Sequence, residues 1–175
     1  MIRSAALLAV LLPLFPLPAR AGNEVAARRL YEEGLDRYRR GEFPDALSSL
    51  TRSIGESKGF LLSYSVRAQV RRALGDAAGS AADAKAALGI GSPRNAETFV
   101  ARGNARFLAR QDRAALGDFE DALHKDEEYA DAYLGRGRVR DAAGDRAGAM
   151  ADWQKALKLD PKLDLARYNL AAALN

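Results

Sequence analysis

Residues 144–157 read GDRAGAMADWQKAL and residues 75–88 read GDAAGSAADAKAAL. Both open on Gly-Asp, keep small residues at matching offsets and close on an apolar residue. Between them, Asp112 begins DRAALGDFEDAL, and earlier Glu42 begins EFPDALSSLTRSI. Set in register, these stretches define units that start at Ala27, Leu61, Ala96 and Ala130, with a half unit from Asp164. The spacings are 34, 35, 34 and 34 residues, a period that signals a repeat array of helix pairs.

Each unit carries two amphipathic helices joined by a tight turn. The eighth column reads Gly34, Ala68, Gly103, Gly137 and Ala171. The twentieth reads Ala46, Ser80, Ala115 and Ala149, and the twenty-seventh Ser53, Ala87, Ala122 and Ala156. These small columns let helices approach closely, and Ile54, Leu88, Leu123 and Leu157 add apolar mass beside them. Gly41, Gly75 and Gly144 fall where the first helix must stop in a left-handed turn. Asp76 and Asp145 follow as N-caps, and Asp160-Pro161 ends the fourth unit.

From Ala27 to the last residue the pattern resembles the tetratricopeptide (TPR) family. Unit four carries it best, through Tyr133, Gly137, Gly144-Asp145, Ala149, Trp153, Ala156 and Pro161. Unit three matches at Phe99, Gly103, Ala115, Phe119 and Ala122, with Arg110-Gln111 in place of the turn glycine. The resemblance implies an all-α, right-handed superhelical solenoid of four helix pairs with a capping helix. Its units are 27–60, 61–95, 96–129 and 130–163, and the cap is 164–175. It also implies a concave groove lined by the second, fifth, ninth and twelfth columns. From these, the expected binding residues are Tyr31, Leu35, Tyr38, Gln69, Arg72, Val100, Asn104, Phe107 and Arg138, with Tyr168 in the cap. Aromatic and amide groups interleaved with arginine suit an extended peptide. The chaperone-tail clamp of the family is missing, because its columns hold Tyr31, Leu35, Val66, Glu97 and Ala101.

Unit two departs from the pattern. It has Ala84 where units three and four have Phe119 and Trp153, and the extra residue falls near Gly89-Ile90-Gly91-Ser92-Pro93. That segment reads either as a plain spacer or as a hinge between the two halves. Arginine is the other departure. The seventh column is Glu33, Arg67, Arg102 and Arg136, and Asp83, Asp118 and Asp152 stand in the twenty-third column of the same three units with arginine. This joint presence points to Arg–Asp pairs between the two helices of a unit. The eleventh column, Arg37, Arg71, Arg106 and Arg140, has no such evident partner and is the candidate for anion contact.

The 175 residues include no cysteine and one histidine, His124, which excludes thiolate metal sites, disulfides and a histidine cluster within one chain. No strained nucleophile turn accompanies any serine, and the carboxylates lie on solvated faces or caps. The reading is therefore a binding protein without catalytic residues, cofactor or metal. The net charge of +4 is too small for a dedicated nucleic-acid binder. It is uneven, with +5 over residues 22–117 and −3 over 118–175, a polarity that favours head-to-tail self-association at low salt.

Arg3 precedes an uncharged stretch, Ser4 to Ala19, that ends in Ala19-Arg20-Ala21, a small-x-small cleavage pattern. As a helix it would span roughly 24 Å, short of the ~30 Å hydrocarbon core, and Pro13, Pro16 and Pro18 interrupt it. The expectation is an export signal over 1–21 and a lead-in over 22–26. The mature protein would be periplasmic or secreted, without a membrane anchor. Its expected partner is an envelope protein or peptide held in the groove, the alternative being an anionic envelope polymer on the arginine face.

Overall fold

The computed structural model describes residues 19–174, which form nine α-helices and no strand among the described residues. They are α1 (Ala19–Arg39), α2 (Phe43–Glu56), α3 (Leu61–Ala73), α4 (Ala77–Leu88), α5 (Ala96–Leu108), α6 (Asp112–Lys125), α7 (Ala130–Ala142), α8 (Arg146–Leu159) and α9 (Asp164–Leu174). Most of the expected export signal lies outside the described residues. The lead-in, 22–26, is helical and continuous with α1. No helix among the described residues is long and apolar enough to cross a membrane.

Consecutive helices pack as hairpins, α1 with α2, α3 with α4, α5 with α6 and α7 with α8, and each hairpin stacks on the next. The turns within hairpins repeat one hydrogen-bond pattern. The N–H groups of Glu42, Asp76, Gln111 and Asp145 return to the carbonyls of Arg37, Arg71, Arg106 and Arg140, all at 2.9 Å. This closure needs a left-handed residue, supplied by Gly41, Gly75 and Gly144 at φ 76°, 82° and 85°. In the third hairpin Arg110 takes the same conformation at φ 62°, so the missing glycine changes the strain and not the turn. Asp76 and Asp145 then cap the next helix by accepting from the N–H groups of Gly79 (2.8 Å) and Gly148 (2.9 Å).

One large side chain fills the middle of hairpins one, three and four: Leu50, Phe119 and Trp153. The Phe119 ring lies where a Cβ on Gly135 would stand, and Trp153 Nε1 would come within 2.5 Å of a Cβ on Gly137. These two glycines are therefore places of close approach. In hairpin two, Ala84 sits with Ala68, Ala87 and Ala105 in an all-alanine contact edged by Tyr64, Leu88 and Leu108. The helices close over the small residue without a large filler.

Candidate functional site: the concave face

The first helices of the hairpins, α1, α3, α5 and α7, face inward, and their arginines decide how much charge that assembly carries. Arg67 grips Asp83 through Nε (2.8 Å) and Nη2 (2.7 Å). Arg136 grips Asp152 in the same fork (2.9 and 2.7 Å), and Arg102 holds Asp118 at 2.6–3.1 Å. The spacing of seventh and twenty-third columns thus yields bidentate pairs across each hairpin.

The eleventh-column arginines require a correction. Arg71, Arg106 and Arg140 reach the same aspartates at 3.0, 2.8 and 2.9 Å. Arg37 pairs with Glu33 at 2.8 Å and donates to Ser49 Oγ at 3.2 Å. An ionised carboxylate offers about four acceptor sites, so one buried aspartate holds two arginines four residues apart on one helix. The eleventh column is thereby engaged within the hairpins, each of Arg71, Arg106 and Arg140 sharing an aspartate with a seventh-column arginine.

The groove is also corrected in part. Three polar links cross the concave face between helices that are not neighbours in the stack. Arg28 on α1 donates to both oxygens of Glu97 on α5 (2.8 and 2.9 Å). Arg39 on α1 pairs with Asp131 on α7, and Arg138 on α7 donates to Gln69 on α3 at 2.9 Å. Tyr38 Oη adds a bond to the same Gln69 oxygen at 3.3 Å. Leu165 of α9 packs onto the apolar cluster that contains Tyr31, Tyr38, Leu62 and Val66. The array therefore curls until its first helix meets its last.

What remains inside is a cavity of about 50 Å³, room for a few waters, lined by Tyr31, Leu35, Tyr38, Gln69, Val100, Asn104 and Arg138 among others. Tyr31, Tyr38, Gln69 and Val100 are buried, so they form a core and not an open peptide face. Burial raises the Tyr31, Tyr38 and Tyr129 phenols above their ordinary range, and Glu97 adds to the shift at Tyr31. Burial also raises the Asp131 carboxyl, against the opposing pull of Arg39.

Residues of α3, α5 and α7 up to Gln69, Asn104 and Arg138 line this narrow cavity with α1, while the C-terminal ends of the three helices, from Arg72, Phe107 and Arg138, line an open cleft with α8 and α9. The cleft has a volume of about 490 Å³ and is walled by Arg72, Phe107, Arg138, Asp141, Ala142, Arg146, Trp153, Asn169, Ala172 and Ala173. Arg72, Phe107 and Arg138 of the expected groove residues fall here. Phe107 is 9% exposed and also belongs to the core around Phe119, so only its edge faces the cleft. Arg138 lies 5.3 Å over that ring. Tyr168 is 71% exposed and lines neither space. Arg146, Asn169 and Trp153 escaped the column argument, because they come from α8 and from the far side of the cap. The inner-column apolar residues Tyr31, Tyr38 and Val100 were the one available hint of a face that closes on itself.

This arrangement, helical hairpins stacked around a small-residue seam with a C-terminal cap, is an α-solenoid. Its fold is that of the TPR proteins. Among solved structures, a thermophilic TPR protein of Thermus thermophilus aligns with a TM-score of 0.55 at 23% identity, over 85% of this chain and 90% of that one. The pilF protein of Pseudomonas aeruginosa aligns at 0.54 and 19% identity, over 87% and 69%. A chain of the Cut9–Hcn1 hetero-tetramer of the APC/C aligns at 0.52 and 17% identity, over 86% of this chain and 30% of that one. No protein-family model and no curated protein sequence matches the chain.

Proposed function

We propose that the protein is a non-enzymatic adaptor of the bacterial cell envelope that holds a peptide segment of a partner protein in the open cleft. The observation that carries this reading is the division of the concave face. One half is bridged by Arg28–Glu97, Arg39–Asp131 and Gln69–Arg138 and narrowed to about 50 Å³, which leaves the cleft of about 490 Å³ at Arg72, Phe107 and Asn169 as the roomier recess. The Cut9–Hcn1 neighbour is itself part of a hetero-tetramer, which agrees with a fold used for assembly. The envelope location rests on the stretch from Arg3 to Ala21. The alternative partner, an anionic polymer on the eleventh-column arginines, loses its support because those side chains are paired.

Selection of random displayed peptides on the immobilised protein tests the adaptor reading. Enriched peptides should bind the wild type and lose binding to Ala142→Phe, which places a ring in the cleft from an exposed position. Failure to enrich any peptide, or equal binding to the variant, would count against it. N-terminal sequencing of the exported protein should begin at Gly22; an intact Met1 would reject the export signal.

A further inference from the structure

We infer that the open cleft selects an acidic segment, held through its side-chain carboxylates; this rests on the peptide-binding reading above and narrows it to one chemical class. Most arginines of the inward helices already have carboxylate partners. Those of the seventh and eleventh columns are held in ion pairs inside the hairpins, two arginines to one aspartate in hairpins two to four. Arg72, Arg138 and Arg146 have no carboxylate within ion-pair distance among the described residues, and all three line the cleft. Arg72 is exposed, near the end of α3. Arg138 spends one Nη1 bond on Gln69 and keeps its other donors. Arg146 donates from Nε to the Ala173 carbonyl at 2.7 Å and from Nη2 to the Ala172 carbonyl at 3.3 Å. Against these three charges the wall sets one acid, Asp141.

Helix C-termini contribute negative potential that would oppose an anion, and α3, α5, α7 and α9 all end here. That potential is largely spent. The last-turn carbonyls of α3, α5 and α7 accept from loop N–H groups, as at Arg71, Arg106 and Arg140, and those of α9 accept from Arg146. Trp153 also lines the cleft, but its Nε1 is buried against Gly137 and does not face the open space. Phe107, Ala142 and Ala172 add apolar surface beside the arginines. Free arginine charge and spare donors with an apolar floor fit carboxylate side chains alternating with apolar ones.

The chain has one tryptophan, Trp153, and it is part of the cleft wall, so its fluorescence reports on changes there. The test titrates the protein with the amide-capped peptide Ac-Asp-Glu-Leu-Asp-Glu-Leu-NH2 and with its lysine counterpart. The acidic peptide should shift the Trp153 emission and bind roughly tenfold or more tightly than the basic one, the difference shrinking as salt rises. Arg72→Glu should abolish that preference, whereas Arg113→Glu, an exposed charge reversal on α6 outside the cleft lining, should retain it. Equal affinity for the two peptides, or an unchanged preference in Arg72→Glu, would overturn the inference. Selected peptides that bind in the cleft without an acidic excess would overturn this narrowing alone and leave the adaptor reading intact.

Discussion

Replacing Asp118 by asparagine removes the charge of the most buried carboxylate among the ion pairs of the described residues. The Asp118 side chain is 1% exposed and accepts from Arg102 Nη2 at 2.6 Å, Arg102 Nε at 3.1 Å and Arg106 Nη1 at 2.8 Å. Hydrogen bonds to charged groups contribute about 1.5–3 kcal/mol each, with strong non-additivity. Asparagine keeps the volume and one acceptor oxygen, so it retains part of the network. The two arginines are 22% and 27% exposed and can turn toward water, which limits the cost of stranding them. Together these terms give a loss of about 3 kcal/mol. Urea unfolding followed by circular dichroism at neutral pH measures it. Ser49→Ala at the same column of hairpin one, where the contacts to Arg37 and Glu33 are 3.2 Å, should cost under about 1 kcal/mol. A loss below about 1 kcal/mol for Asp118→Asn would contradict the calculation, because the cluster would then act as a screened surface pair.

Three further changes have definite expected outcomes. Asp131→Asn should change stability by less than about 1 kcal/mol at pH 7, since burial rather than Arg39 dominates its carboxyl; a loss near that of Asp118→Asn would contradict this. The sign follows from the raised folded pKa: Asp131 favours the native state at low pH, and that contribution falls as pH rises through the folded value. Stability curves of the variant between pH 4 and 7, roughly the carboxylate titration range, should lack that component. Arg110→Gly should stabilise by about 1 kcal/mol, because a left-handed arginine costs roughly 1–2 kcal/mol and glycine returns part of the gain through chain entropy; a destabilised variant in thermal melts would contradict it. Gly135→Ala should cost about 1–3 kcal/mol by displacing the Phe119 ring, and an unchanged melting temperature would show that the seam has slack.

The hairpins were legible in the sequence because their signals are local. Gly75-Asp76 and Gly144-Asp145 mark a helix stop and the next cap within a few residues, and Arg67 with Asp83 reports a contact inside one repeat. The second arginine on each aspartate was missed, since column matching assigns one partner to one residue while a carboxylate accepts several. Closure of the groove was missed for a different reason. It depends on contacts such as Arg28–Glu97 and Arg39–Asp131, which join hairpins two and three units apart and have no periodic signature. Small rotations at each stack add up to that curl, and only the inward Tyr31, Tyr38 and Val100 register it as apolar surface that must be covered. The cleft followed from the same curl, which brings Arg72 and Arg138 alongside Arg146 and Asn169.

Amide chemical-shift mapping of the isotope-labelled protein with a selected peptide decides which half of the concave face binds. Shifts should centre on Arg72, Phe107, Asp141, Ala142 and Asn169, together with a moved Trp153 indole N–H resonance. Shifts centred on Tyr31, Val66 and Val100, with the indole resonance unmoved, would mean that the latched half opens and is the binding groove, contrary to the assignment of the cleft.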